Sequence, residues 1–129
     1  MAPIPVGAIS GLILSATASY VITGRLFHPF QKKTAATWRP ESWRHHLFAM
    51  LLQAAAGAGI GWAFALMGAP AVGFALFELG FAIWMVLMAC ILIQALYVNW
   101  HPGFVIGLTL DWTVFLAGVL LGCAIFSAR

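Results

Sequence analysis

Residues 72–98 read VGFALFELGFAIWMVLMACILIQALYV, and Glu78 is the only acidic or basic side chain among them. A helix needs about 20 apolar residues to cross a bilayer, so this stretch is long enough to form one transmembrane helix. Three more apolar stretches of similar length occur in the chain: 6–26, 46–67 and 104–126. The sequence therefore predicts four transmembrane helices in a single domain, residues 1–129.

The composition of the whole chain indicates that its solvent is lipid. Of the 129 residues, 64% are hydrophobic and only 7% are charged, whereas a soluble domain carries about 25% charged residues. These few charged side chains are not enough to cover a water-facing surface, so we expect an all-α integral membrane protein. The net charge of +3 then reflects basic residues kept at one membrane face, and we do not expect nucleic-acid binding.

The segment 27–44 separates the first two predicted helices and carries most of the positive charge. Five of the six Lys and Arg residues lie in it or next to it: Arg25, Lys32, Lys33, Arg39 and Arg44. Positive residues are retained on the cytoplasmic side, so we predict a cytoplasmic loop and place both chain termini outside. The other two connections are short, which predicts an up-down four-helix bundle. We expect the five basic side chains to contact anionic lipid headgroups.

Small residues recur at four-residue spacing in three of the predicted helices. They are Gly7, Gly11, Ser15, Ser19 and Thr23 in the first, Gly57, Gly61 and Ala65 in the second, and Gly118 and Gly122 in the fourth. Helices in lipid associate by close packing at small residues, because lipid provides no hydrophobic force between them. The spacing predicts packing inside the bundle and leaves open the alternative of a seam between two copies of the chain.

Asp111 lies inside the fourth predicted helix, where an ionisable side chain costs about 2.5–3.5 kcal/mol on insertion scales. Counting about 1.5 Å per residue from the helix ends places Gln53, Ser19 and Tyr20 near its level, with Thr109 close to it in the same helix. An acid, an amide and hydroxyls at one depth form either a hydrogen-bonded network that joins helices or a site for a proton or a small polar ligand. The sequence leaves both alternatives open.

Glu78 is the lone acid of the third predicted helix, and no basic residue lies at its predicted level. Small proton-coupled exporters use a single intramembrane Glu, so Glu78 is a second candidate for proton binding. The alternative is that its side chain turns towards the outer headgroups.

Four histidines map to the predicted cytoplasmic side: His28, His45, His46 and His101. Imidazole is the commonest metal ligand, so these residues are candidate ligands for a metal or haem. Their spacing matches no metal-binding motif, and His45 and His46 point in different directions on a helix because they are adjacent. Contact with anionic headgroups is the simpler explanation. We therefore predict no cofactor, with haem or a metal as the alternative, and no nucleotide-binding or catalytic motif occurs.

Two short stretches carry a family resemblance. Residues 24–30 read Gly-Arg-Leu-Phe-His-Pro-Phe and are followed by Trp38, and residues 107–113 read Gly-Leu-Thr-Leu-Asp-Trp-Thr. Both stretches resemble a family of small four-span bacterial membrane proteins that is catalogued only as a domain of unknown function. The resemblance implies a four-helix protein of the bacterial inner membrane. It implies no activity, because the family offers no catalytic residues to carry over.

These observations lead to three functional hypotheses. The first is a non-enzymatic accessory or scaffold subunit or a small homo-oligomer, in contact with lipids and with copies of itself or a larger membrane complex. The second is a proton-coupled or small-molecule transporter that uses Asp111 or Glu78. The third is a membrane enzyme, or a haem- or metal-binding protein, that uses the histidines. The lack of any catalytic spacing favours a protein that is not an enzyme.

Overall fold

The computed structural model describes residues 2–27, 29–30, 42–98 and 100–127. Within them the chain is all-helical, and four of its helices are each long and apolar enough to cross a membrane. This confirms the predicted helical class and the number of spanning-length helices. Their bounds are Pro3–Phe27 for helix 1, Trp43–Leu66 for α2, Phe74–Tyr97 for α3 and Pro102–Ser127 for α4.

Helix 1 has two parts that differ in hydrogen-bond geometry. Its first part, α1, covers Pro3–Leu14 and has proline in the first turn, where the missing N–H needs no partner. The second part, Ser15–Phe27, is π-helical, with the wider turn of i→i+5 bonding. Ser15 and Ser19 are both buried, so the hydroxyl-bearing side of this segment faces the neighbouring helices.

Both ends of α2 are capped by their own sequence. At the start, the Ser42 side chain accepts a hydrogen bond of 3.3 Å from the backbone N–H of His45, as an N-cap serine does. At the end, the N–H groups of Gly68 and Ala69 donate back to the carbonyls of the last helical turn, each at 3.0 Å. This is a Schellman motif, and Gly68 has the positive φ of 76° that the motif requires.

A seam of glycines joins helix 1 to α2. We call it the glycine seam, and it consists of Gly7, Gly11, Gly57 and Gly61. A Cβ built on Gly7 would overlap the carbonyl oxygen of Gly57, and one built on Gly57 would overlap that of Gly7. Gly61 meets the carbonyl oxygen of Pro3 in the same way. Pro3 of helix 1 meets Gly61 and Gly7 meets Gly57, so residue numbers rise along one helix as they fall along the other, and the two helices run antiparallel. The small residues of the glycine seam therefore pack inside the chain.

The described core is centred on α4. Four side chains are less than 2% exposed: Phe64 of α2 and Phe115, Val119 and Cys123 of α4. The glycines of α4 receive side chains from helix 1, because a Cβ on Gly118 would lie 2.8 Å from Leu14 Cδ1 and one on Gly122 would lie 2.6 Å from Ser10 Oγ. These contacts also pair low residue numbers with high ones, so helix 1 and α4 are antiparallel.

Helix α3 is attached differently from the other three. It adds Leu76 and Leu79 to the core, but within the described residues its backbone comes close only to α4 over any appreciable length. The up-down bundle predicts that consecutive helices pack against each other. The short connection 67–73 does not have this effect, because α2 and α3 are not close-packed neighbours in the described residues. Helix 1 already fills the closest contact of α2 through the glycine seam, so α3 packs on the remaining side of α4.

The outer surface of the helices is apolar. Trp43 is 70% exposed, Phe74 is 75% exposed and Leu96 is 83% exposed, and many other large apolar side chains are exposed like them. Soluble monomers rarely expose apolar patches larger than a few hundred Å². This surface fits lipid as its surroundings, as the composition predicts.

Candidate functional site

Asp111 is the most buried acidic side chain in the described part of the chain. It is only 4% exposed, and it lies about 14 Å along α4 from Pro102 at 1.5 Å per residue. The hydroxyl of Thr23 on helix 1 donates a hydrogen bond of 2.7 Å to Asp111 Oδ2. This bond ties helix 1 to α4 about one turn from the contact of Phe27 with Gly107.

The second carboxyl oxygen of Asp111 has a different environment. Oδ1 is buried and has no hydrogen-bond partner among the residues that the structure describes. A buried polar atom without a partner costs about 1–3 kcal/mol, and more when the group is charged. The carboxyl group therefore offers one oxygen that is held by the protein and one that is free to bind a proton.

A second polar contact lies about one turn before Thr23 in the π-helical segment. The Gln53 side-chain amide of α2 donates a hydrogen bond of 3.1 Å to Ser19 Oγ. Ser19 and Thr23 are four residues apart, so they lie on the same side of helix 1. Helix 1 thus binds α2 through Ser19 and α4 through Thr23, and these two bonds hold three helices together at one level.

The structure brings together some of the sequence-predicted site residues and separates others. It joins Ser19 to Gln53. Tyr20 is 45% exposed and contacts Arg25 and His46 rather than Asp111. Thr109 is half-buried, and its carbonyl oxygen accepts a hydrogen bond of 2.7 Å from Thr113.

Glu78 is also separate from Asp111. It is exposed on the first turns of α3, about 6 Å along the axis from Phe74. Its position is compatible with the prediction that the side chain turns towards the headgroups, and it shares no hydrogen bond with the Asp111 carboxyl in the described residues.

Thr23 is the site residue that the sequence reasoning does not select. It is part of the small-residue stripe, but counting residues from the helix ends places Ser19 and Tyr20, not Thr23, level with Asp111. The useful signal is the stripe itself, because Ser15, Ser19 and Thr23 recur at four-residue spacing and each carries a hydroxyl group that can bond to a neighbouring helix.

The histidines do not gather in the described part of the chain. No group of three or more His, Cys, Asp or Glu side chains that could hold a metal ion occurs there. His45 Nδ1 lies 3.0 Å from Ser42 Oγ, His46 contacts the Tyr20 ring, and His101 stacks on Phe30 at 5.4 Å. His28 lies outside the described residues.

Two of the five predicted headgroup-contacting residues are described, and both are exposed. The Arg25 guanidinium lies 5.4 Å from the centre of the Tyr20 ring, and that of Arg44 lies 5.6 Å from the Trp43 ring. Both distances fit cation–π contacts. The other three, Lys32, Lys33 and Arg39, lie outside the described residues.

An apolar groove of about 540 Å³ lies along the contact between the first half of α3 and α4. Its walls include Phe77, Gly80 and Trp84 of α3 and Leu120 of α4. At one edge the Trp84 indole N–H donates a hydrogen bond of 2.9 Å to Thr113 Oγ1. The Thr113 hydroxyl donates to its own helix, so both polar groups of this contact have partners.

No protein-family model matches the chain, and no curated protein or solved structure matches it significantly. The resemblance to the four-span bacterial family therefore stays a prediction. The candidate site is argued from the residues of this chain alone.

Proposed function

We propose that the chain is a multi-pass protein of the bacterial inner membrane that binds a proton reversibly at Asp111 and couples it to the transport of a small molecule. The observation that carries the proposal is the buried, unpartnered Oδ1 of Asp111. An ionisable residue inside a spanning helix is expensive and usually serves a function. At Asp111 the free-energy cost of burial is not fully offset by hydrogen bonds, because Oδ1 has no partner among the described residues.

The proposed arrangement in the membrane is an up-down bundle. Contacts between helix 1 and α2, between helix 1 and α4, and between α3 and α4 all pair low residue numbers with high ones, which supports alternation of direction along the chain. The basic residues around 27–44 support a cytoplasmic location for that segment and an outside location for both termini.

A purely structural role accounts less well for a carboxyl group at this position. The Trp84–Thr113 contact joins two helices with neutral groups, and each of its polar atoms has a partner. Joining helix 1 to α4 needs only one acceptor for the Thr23 hydroxyl. Asp111 supplies a second, buried oxygen that this task does not use, and that oxygen is the proposed proton-binding atom.

In this proposal Thr23 is a positioning residue. Its hydroxyl donates to Oδ2, so it stabilises the charged carboxylate and leaves Oδ1 as the atom that takes up the proton. The bond from Gln53 to Ser19 fixes the same part of helix 1 against α2.

The proposal is tested by pH-dependent infrared difference spectroscopy of the purified protein in lipid. We expect a carbonyl band of a protonated carboxyl group at acid pH that disappears reversibly at alkaline pH. Asp111→Asn should remove this band, because the amide does not titrate. Glu78→Gln is the matched control, since it makes the same change at an exposed acid, and it should leave the band in place.

A second measurement tests whether protons cross the membrane by way of Asp111. In proteoliposomes with a pH-sensitive dye inside, an imposed membrane potential should drive proton entry through the wild-type protein and the Glu78→Gln variant, but not through Asp111→Asn. Thr23→Val should retain the band, because the Asp111 carboxyl group is still present. A band that is absent from the wild-type protein, or unchanged in Asp111→Asn, would show that Asp111 only joins helices.

A second candidate function is the accessory subunit or homo-oligomer. It is favoured by the packing of α3, which within the described residues comes close along its backbone to α4 only and exposes large apolar side chains such as Phe77 and Phe81. The four glycines of the glycine seam are occupied inside the chain, so an assembly would use α3 instead. Native mass spectrometry after gentle detergent extraction tests this by counting copies and partners, and a monomer without partners would contradict it.

A further inference from the structure

Three polar side chains meet where helix 1 ends and α2 begins. The Arg25 guanidinium lies 5.4 Å from the centre of the Tyr20 ring, and the His46 ring approaches the same phenol ring edge-on, with centroids 6.3 Å apart and an angle of 71° between the planes. All three residues are exposed. We call this group the Tyr20 cluster.

The glycine seam explains why these residues meet. The antiparallel contact of Gly7 with Gly57 and of Ser19 with Gln53 continues along both helices and brings Tyr20 of helix 1 beside His46 in the first turn of α2. Arg25 lies about one turn after Tyr20 on helix 1, so its guanidinium reaches back over the ring. The tyrosine ring therefore holds a cation from its own helix and an imidazole from the next.

The hydrogen-bonding groups of the cluster are available. A guanidinium carries five N–H donors, a phenol one O–H donor, and an imidazole at least one N–H donor. None of the three side chains forms a hydrogen bond or an ion pair within the described residues. The described acids, Glu78 and Asp111, belong to α3 and to the buried centre of α4 respectively, so neither neutralises Arg25.

This donor set matches the oxygens of a phosphate group. Arginine binds phosphate with several N–H groups at once, which gives shorter and stronger hydrogen bonds than neutral pairs. The cluster lies at the ends of two spanning-length helices, with Arg25 two residues before Phe27 and His46 three residues after Trp43. Helix ends are where headgroups lie, and tyrosine favours that interface because its ring is apolar and its hydroxyl is polar.

We infer that Tyr20, Arg25 and His46 form a binding site for the phosphate group of an anionic phospholipid. The site faces outward from the helices, so a lipid in the surrounding bilayer can enter it laterally with its acyl chains along helix 1 and α2. The inference does not depend on proton binding at Asp111, because no residue is shared between the two sites.

The test is a native mass spectrometry titration of delipidated protein in detergent, which reports the apparent Kd of the first phosphatidylglycerol bound. We expect Arg25→Gln to weaken this binding about fivefold, as the loss of one basic group near a lipid headgroup implies. Arg44→Gln is the matched control. It removes the same charge at the same end of the helices, but the Arg44 guanidinium lies over the ring of its neighbour Trp43 and not in the Tyr20 cluster, so we expect less than a twofold change.

Tyr20→Leu tests whether binding depends on the arrangement of the Tyr20 cluster or only on the attraction between the basic residues and an anionic lipid. This variant keeps every charge but removes the ring that positions Arg25 and His46, so it should weaken phosphatidylglycerol binding about threefold. Unchanged thermal stability in neutral detergent shows that a variant is folded. If Tyr20→Leu unfolds, His46→Gln replaces it, with the same expected weakening.

Two further probes identify the source of the phosphate. Phosphatidylcholine with the same acyl chains should bind more weakly than phosphatidylglycerol, and inorganic phosphate should not displace the bound lipid. Equal weakening by Arg25→Gln and Arg44→Gln, or unchanged binding in Tyr20→Leu, would overturn the inference in favour of general charge attraction. Displacement by inorganic phosphate would overturn the assignment to a lipid.

Discussion

The contact between helix 1 and α2 differs in kind from the contact between α3 and α4. In the glycine seam two backbones touch, and no space remains for even one more carbon atom on Gly7 or Gly57. Between α3 and α4, large side chains meet instead, and a groove of about 540 Å³ lies between the helices. A hydrogen bond from Trp84 to Thr113 is the polar tie at that contact.

The difference indicates where the molecule is rigid and where it can rearrange. Close packing has no room to adjust, so a small change at the glycine seam is felt by both helices. Side chains beside a groove have room to change rotamer, so the contact between α3 and α4 can adjust. We therefore expect helix 1, α2 and α4 to form the rigid unit that carries Asp111, and α3 to be the helix that can move.

The largest effect is expected from Gly57→Ala. The added Cβ would overlap the carbonyl oxygen of Gly7, so helix 1 and α2 must separate, and we expect a loss of about 1–3 kcal/mol in the free energy of unfolding. Equilibrium unfolding of the protein in mixed micelles, followed by circular dichroism, measures this loss.

Gly59→Ala is the matched control for that prediction. Gly59 is two residues away on the same helix, and a Cβ there would meet nothing within 4 Å. We expect its free energy of unfolding to equal the wild-type value or to exceed it by up to about 1 kcal/mol, because alanine favours a helix over glycine. Equal losses in the two variants would mean that the seam is not close-packed, and the contrast with α3 and α4 would then disappear.

The packing at the glycine seam and the hydrogen bond to Asp111 were not equally predictable from the sequence. Four-residue spacing of small residues predicts the packing of Gly7 and Gly57, because only a backbone contact requires glycine at both positions. The partner of Asp111 was harder to predict, since depth counting assumes that every helix has α geometry and that the helix ends are level.

Neither assumption holds for helix 1. The thirteen steps along helix 1 from Leu14 to Phe27 cover the same distance as the eleven steps along α4 from Gly118 back to Gly107. This is expected because the π-helical segment advances less per residue than α4. In addition, α4 begins at Pro102 and extends beyond the contact of Phe27 with Gly107. Together these offsets put Thr23, one turn after Ser19, opposite Asp111.

A smaller effect is expected at the polar tie of α3. Trp84→Phe keeps the aromatic ring but removes the indole N–H that Thr113 accepts. We expect a loss of about 0.6 kcal/mol in the free energy of unfolding, since hydrogen bonds between membrane helices average that value. Trp62→Phe is the control, because Trp62 is 59% exposed on α2 and should tolerate the change. A loss of several kcal/mol in Trp84→Phe would show that α3 is held as firmly as the seam.

The smallest effect is expected from Gly80→Ala, although it makes the same chemical change as Gly57→Ala. A Cβ on Gly80 would lie 3.0 Å from Leu120 Cδ1, which is the end of a flexible side chain, and Leu120 borders the groove into which it can rotate. Alanine also favours the helix by up to about 1 kcal/mol over glycine, which offsets the cost of moving Leu120. We therefore expect the free energy of unfolding to change by less than about 0.5 kcal/mol in either direction. If Gly80→Ala instead destabilises the protein as much as Gly57→Ala, the groove does not give Leu120 room to move, and α3 belongs to the rigid unit.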